Sequence, residues 1–326
     1  MFANQGGHNM YNKPIFLQPV FQDRIWGSNK LKTLFDYAIP NDQTGEAWAI
    51  SAHKNGPSKI LNGSLKGQTL RQAWTEHPEL FGKSEAEDEF PLLVKILDAN
   101  DNLSVQVHPD DEYAEKVEGE FFGKTECWYV LDAEEDAEIV FGHHAETKEE
   151  FMEMVKSGKW DHLLHRVKVQ KGDFFFVPNG TIHAIGKGIV ILETQQSSDI
   201  TYRVYDYDRK DAQGNTRELH IQSSIDVTKF PHDVQQQEKV TEQSGNLTNT
   251  RLVQAEYFTV YHWDLDGRTK TPLEKDYLLA SVIEGEGKII VDGTSFPIQK
   301  GDHFVLPATV ENYELQGTME LIVSHE

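Results

Sequence analysis

Cysteine is nearly absent from these 326 residues: Cys127 stands alone. A single thiol excludes an intrachain disulfide and points to a reducing, cytoplasmic home. Basic residues are also in deficit, with 31 Lys and Arg against 53 Asp and Glu, for a formal net charge of −22. That balance excludes nucleic acid and anionic membrane as partners, because both need a basic face; a small anionic ligand stays possible wherever a few cations converge. No apolar run approaches the ~18 residues of a membrane span, and no charged-then-apolar leader opens the chain, so a soluble, unprocessed protein is expected. Residues 1–9 are polar and glycine-rich and are left out of the fold reading.

The length suits two domains and a large core. Most of the patterned segments alternate as strands. From Gly172 to His183 an apolar run ends at Pro178 and Gly180, where a buried strand turns sharply and presents His183 at its edge. Upstream, Ser104–Asp111 alternates, placing Gln106 and His108 on one side with Val105 and Val107 packing on the other. In the next strand, Gly123–Leu131, Lys124 and Glu126 likewise share a face, and Cys127 alternates with Glu126 as a packed core thiol rather than a nucleophile. Two histidines, a carboxylate and an amide oxygen form a mixed N/O set that suits zinc with an exchangeable position; manganese, iron and cobalt are allowed by the same ligands.

Around this core the chain offers further elements. Residues 15–26 read as an edge strand broken by Pro19. Residues 46–51 form a strand whose Glu46 lies either at a barrel mouth or at a solvated end. Residues 68–82 have helical spacing, and 147–164 open with the Thr147/Glu150 capping box. Lys95 is the one charge in the apolar run 90–98, so it snorkels or has a task. His143 and His144, in a Gly-flanked turn, are expected at the surface. Gly188–Gln195 is a buried strand carrying Glu193, and in 201–207 Arg203 stands among aromatics with that carboxylate ten residues upstream to meet. Residues 231–250 are glutamine-rich and read as a linker or exposed loop. Ile298–Pro307 repeats Val169–Pro178 in residue type, but Thr309 replaces the glycine and Asn312 stands where His183 would fall, so the second copy is expected to be metal-free.

The Gly-x5-Pro-x-Gly-x2-His corner resembles the second motif of the cupins, small antiparallel β-barrels with a metal in the mouth. With Gln-x-His-Pro-Asp at 106–110, Lys-Thr-Glu at 124–126 and Glu193-x5-Asp199-x3-Arg203, the chain resembles the type I mannose-6-phosphate isomerases in their short bacterial form, from about Pro14 to the C-terminus. The resemblance implies a mainly β double cupin with a few outer helices. A catalytic metal-binding domain would span 10–230 and a degenerate, metal-free domain 251–326. It implies one zinc per chain on Gln106, His108, Glu126 and His183; catalysis by Arg203 with Lys124 or Glu193 as the base; and Lys95, Glu46 and Asp199 lining the pocket. The implied reaction interconverts mannose 6-phosphate and fructose 6-phosphate through a cis-enediol. The protein would act on a small sugar phosphate as a monomer or weak homo-oligomer, with no nucleic-acid or membrane partner. Two rivals share the corner motif: a metal-dependent cupin oxygenase and a non-catalytic sugar-phosphate-binding cupin.

Overall fold

The computed structural model describes residues 11–326 apart from 88, 212, 235 and 236, and residues 1–9 lie outside it. Three antiparallel sheets are stacked. In the middle one, Glu126–Ala133 pairs with Ile189–Gln196, which pairs in turn with Leu92–Ala99 and then Thr44–Ile50. All eight residues of Leu92–Ala99 and of Ile189–Gln196 are buried, which fits the near-continuous apolar run of the former, while the latter takes Glu193, Thr194, Gln195 and Gln196 into the interior. One face, with Leu97, Trp128 and Ile191, packs on Ile139 and Phe141 of a second sheet and on Ile185 just past its His183–Ala184 strand. The other, with Val94, Ile96 and Leu192, packs on the third.

The second sheet carries the chain's chemistry. Its strands run in the order Tyr202–Tyr205, Val105–Val107, His183–Ala184, Glu138–His143 and Leu164–Lys168. Together with the middle sheet it closes the first barrel. Helices Lys148–Lys156 and Ile221–Val227 cover its outside through Phe151 and Ile225. Thr147 caps the former by accepting from the Glu150 amide. The expected 68–82 helix is an α-helix, Leu70–Glu76, followed by a 3₁₀ turn, Pro78–Phe81, with a full Thr69/Gln72 capping box.

The third sheet has nine strands and curls around its own apolar interior, giving the second barrel. The repeat holds in three dimensions. Gly172 (φ 90°) and Gly301 (φ 93°) both turn through the left-handed region, and each following aspartate accepts from a backbone amide three residues back. Phe174–Val177 and His303–Leu306 then follow as strands. Asn312 is exposed at the start of Asn312–His325.

Three expectations are corrected. Ile15–Gln18 is not an edge strand: it lies between His303–Leu306 and Lys59–Ile60, so the N-terminal strand belongs to the third sheet. Residues 231–250 are not all loop, because Val240–Ser244 forms a hairpin with Leu247–Gln254. His143 is buried rather than exposed, its Nε2 bonded to the Lys229 carbonyl and its ring packed against Phe151 and Phe230; His144 is exposed as expected.

Candidate metal centre and catalytic cavity

His108, Glu126 and His183 converge inside the first barrel, their ligand atoms all within 4.8 Å of one another. Glu126 opens its strand in the middle sheet, while His108 and His183 come from the opposing sheet, where His183 faces Gln106 across the ladder. Two backbone carbonyls settle the tautomers. His108 Nδ1 lies 2.8 Å from the Ile200 oxygen and His183 Nδ1 2.8 Å from the Thr181 oxygen. A carbonyl can only accept, so each Nδ1 carries the proton and each Nε2 presents a lone pair. Both lone pairs face one carboxylate: His183 Nε2 is 3.3 Å from Glu126 Oε1, and His108 Nε2 is 3.6 Å from Oε2.

His183 Nε2 is buried without a hydrogen-bond partner. Burial pushes the His183 imidazole down to about 4 and, with Lys124 and His183 nearby, holds His108 well below the ordinary histidine range. Neutral, oriented imidazoles beside a carboxylate fit a divalent cation, and the outer carbonyls supply the orientation such ligands require.

A cavity of about 270 Å³ lies in front, lined by Gln106, Lys124, Lys95, Glu193, Glu46 and Arg203 among others. The three metal-ligand candidates sit one side chain deeper, with Lys124 Nζ 2.9 Å from Glu126 Oε2 and 3.3 Å from His108 Nε2. Trp128 Nε1 lies 3.1 Å from Oε1 of both Glu126 and Glu193. Glu193 faces Lys95 across the ladder, at 3.8 Å. Burial, then the Glu126 charge, raises Glu193 above the ordinary carboxylate range. For Lys124, burial alone would lower the ammonium; Glu126 and Glu193 outweigh it and hold it above the usual lysine value, opposite to the lowering a neighbouring cation would produce. Glu46 is clamped by Arg24 through two 3.0 Å bonds and by Trp48 Nε1 at 2.7 Å.

Arg203 does not meet Glu193 as an ion pair. It stands opposite Gln106 in the other sheet, with Nε 3.2 Å from Ser104 Oγ and Nη1 2.8 Å from the Glu218 carbonyl. The neighbouring Asp206 is taken by Arg217 and Arg209. Among the described residues Arg203 has no carboxylate partner, so its guanidinium faces the cavity with unspent charge. Asp199 is exposed at the rim, where a second cavity of about 370 Å³, lined by Lys54, Phe121 and Tyr202, adjoins the first.

Sequence patterning missed Arg24, Trp128 and Arg217. Trp128 was within reach, since it lies two residues after Glu126 on the same strand face. Arg24 was not, because its link to Glu46 depends on the pairing of two strands.

Residues 15–151 match the family described as phosphomannose isomerase type I, catalytic domain, and residues 248–326 match the mannose-6-phosphate isomerase cupin domain. A mannose-6-phosphate isomerase of Bacillus subtilis is 52% identical over 316 residues, covering 97% of this chain and all of the relative. One from Streptococcus mutans is 53% identical over 313 residues, 96% of this chain and 98% of its own. The crystal structure of the Bacillus subtilis mannose 6-phosphate isomerase superposes with a TM-score of 0.94 at 48% identity, covering 97% of this chain and 100% of that one.

Proposed function

Because the chain belongs to the type I phosphomannose isomerase family, we propose that it interconverts mannose 6-phosphate and fructose 6-phosphate with one zinc ion held by His108, Glu126 and His183. The observation that carries this reading is the pair of imidazoles locked by backbone carbonyls with both Nε2 atoms on one buried carboxylate, directly behind a cavity rich in Lys and Arg. Gln106, opposite His183, is the proposed fourth ligand. Zinc in this position supplies Lewis-acid polarisation of a sugar oxygen.

The remaining work falls to the chain. A 1,2-proton shift through a cis-enediol needs a base, a donor to the sugar oxygens and stabilisation of developing negative charge. Glu193, buried on the cavity wall and 3.8 Å from Lys95, is the proposed base between C1 and C2. Lys124, buried at the cavity wall beside the metal-ligand candidates, is the proposed donor to an oxygen. Arg203, which pairs with no carboxylate among the described residues, is the proposed stabiliser of the enediolate. Lys95 and the Arg24-clamped Glu46 fix the walls, and Asp199 stands at the entrance.

A coupled assay for fructose 6-phosphate tests this reading on chelated and zinc-restored protein, with and without oxygen. Turnover should vanish on chelation, return with one zinc per chain and proceed without oxygen, which an oxygenase could not do. A protein that binds the sugar phosphate but releases no product would sink the enzyme reading. His183→Ala should lose zinc and activity together while keeping its circular dichroism, because the second barrel and outer helices do not lean on the ion; global unfolding on metal loss would mark the centre as structural instead.

A further inference from the structure

Four side chains stand in a row across the middle sheet, one from each of four neighbouring strands: Trp48, Lys95, Glu193 and Trp128. Residues directly opposite one another in adjacent strands project from the same face, so the row points into the first barrel, where Lys95 and Glu193 line the catalytic cavity. Its two ends are built alike. The chain writes Glu-x-Trp twice, at Glu46–Trp48 and Glu126–Trp128, and each indole N–H reaches back to the carboxylate two residues earlier on the same face, at 2.7 Å for Trp48 and 3.1 Å for Trp128. At the Trp48 end the ring also carries the Lys95 ammonium, 5.0 Å from its centroid.

The Trp128 end does more. A buried indole N–H needs one acceptor, and Trp48 has one. Trp128 Nε1 has two, both at 3.1 Å: Oε1 of Glu126, a metal-ligand candidate, and Oε1 of Glu193, the proposed base. Its ring also meets the His183 imidazole edge-on, with centroids 5.4 Å apart. Trp128 is 1% exposed, and among the described residues its N–H is the one hydrogen-bond donor to Glu193, since the Lys95 ammonium stands off at 3.8 Å. Two buried carboxylates this close repel each other, and a donor held between them offsets that repulsion. A packing role alone asks for none of this, because a ring of the same shape without the N–H would fill the space equally well.

We propose that Trp128 is a positioning residue whose shared N–H orients the Glu126 carboxylate for the ion and the Glu193 carboxylate for the substrate, so that metal loading is felt at the base. The proposal rests on the isomerase reading of the site. Its test replaces Trp128 in the full chain by benzothienylalanine, which keeps the bicyclic shape and puts sulfur in place of the N–H. Zinc affinity, read by competition with a chelator, should weaken at least about tenfold, the cost of removing a partner of a metal ligand. With zinc saturating, kcat should fall about tenfold or more while KM stays within about threefold, because Glu193 acts in the chemical step. The melting temperature should stay near that of the parent, since the volume is kept. An unchanged zinc affinity, or an unchanged kcat, overturns the proposal. A second arm leaves Trp128 in place: of the six indole N–H signals in protein made with isotope-labelled tryptophan, one and the same should move on zinc loading and in Glu193→Gln. No signal moved by both overturns the proposal even where the analogue fails to fold. A parent that binds zinc yet turns over no sugar phosphate sinks the isomerase reading instead, and zinc affinity and the indole signal then decide whether Trp128 ties Glu126 to Glu193; a parent that binds no zinc sinks both.

Discussion

At the scale of single residues, two side chains separate chemistry from support. Arg203 spends only Nε and Nη1 on Ser104 and the Glu218 carbonyl, leaving the rest of its fork toward the cavity. Arg203→Lys keeps a charge but loses the planar donor geometry, so turnover should fall by about 10²–10³, roughly 3–4 kcal/mol, with zinc content intact. A purely structural arginine would give the reverse: lower melting temperature and near-normal kcat in the folded fraction. Glu193 makes a sharper case. Glu193→Gln is nearly isosteric and can still accept from Trp128 Nε1 through its amide oxygen, so the pocket should keep its shape. If Glu193 moves the proton, kcat should drop by at least ~10² with little change in KM. Retained turnover in this variant together with a dead Lys124→Met would transfer the role of base to Lys124.

At the scale of elements, the corner from Gly172 to His183 locks the centre together. Gly180 sits at φ +78°, its amide donates to the His108 carbonyl at 2.9 Å, and its own carbonyl accepts from Lys229. A Cβ there would meet the Val227 carbonyl oxygen at 2.8 Å. Gly180→Ala should therefore cost at least about 1–2 kcal/mol in backbone strain and, by shifting His108 and His183 together, weaken zinc binding. Calorimetry paired with a zinc titration checks both; a lower melting temperature with unchanged zinc affinity would show the corner to be scaffold only. This corner, the strand alternation that grouped His108 with Gln106 and Lys124 with Glu126, and the repeated turn at Gly301 were legible because they are local, set by Gly, Pro and a period of two. What was illegible depends on which sheet a strand joins. Alternation placed Arg203 and Glu193 on suitable faces but not in opposite sheets. Nor could a Gly-flanked turn reveal that Phe230 and Lys229, more than 80 residues on, would bury His143.

At the scale of the whole molecule, the two barrels are stitched rather than tethered. Ile15–Gln18 completes the sheet of the second barrel, and Trp74, Phe81 and Phe90 pack edge-on or tilted against Tyr277 and one another, with centroids 5.0–6.4 Å apart. Near this seam lies His303, 1% exposed, which the repeat places where the first barrel has Phe174. Tyr37 donates its hydroxyl proton to the Gly301 carbonyl, so His303 Nε2–H donates to Tyr37 Oη at 2.6 Å, and Nδ1 accepts from Ser281 at 2.8 Å. The neutral ring satisfies all three groups, and burial pushes its pKa down to about 3. An unfolded histidine titrates near 6.5, so between that value and about 3 the unfolded chain takes up a proton that the folded chain refuses. Stability from this group is therefore complete above pH ~6.5 and falls by about 1.4 kcal/mol for each unit below it. Urea unfolding of the zinc-loaded protein at several pH values from about 7 to 5 measures the slope. His303→Gln should be less stable at pH 7, having lost fitted hydrogen bonds, yet its stability should decline more gently on acidification, by one proton's worth. Other buried histidines and the proposed metal ligands add to the slope equally in both proteins and cancel in the difference. Parallel curves for parent and variant would mean that His303 takes up its proton in the fold as readily as in the unfolded chain, and that the Tyr37–His303–Ser281 chain does not hold the ring neutral.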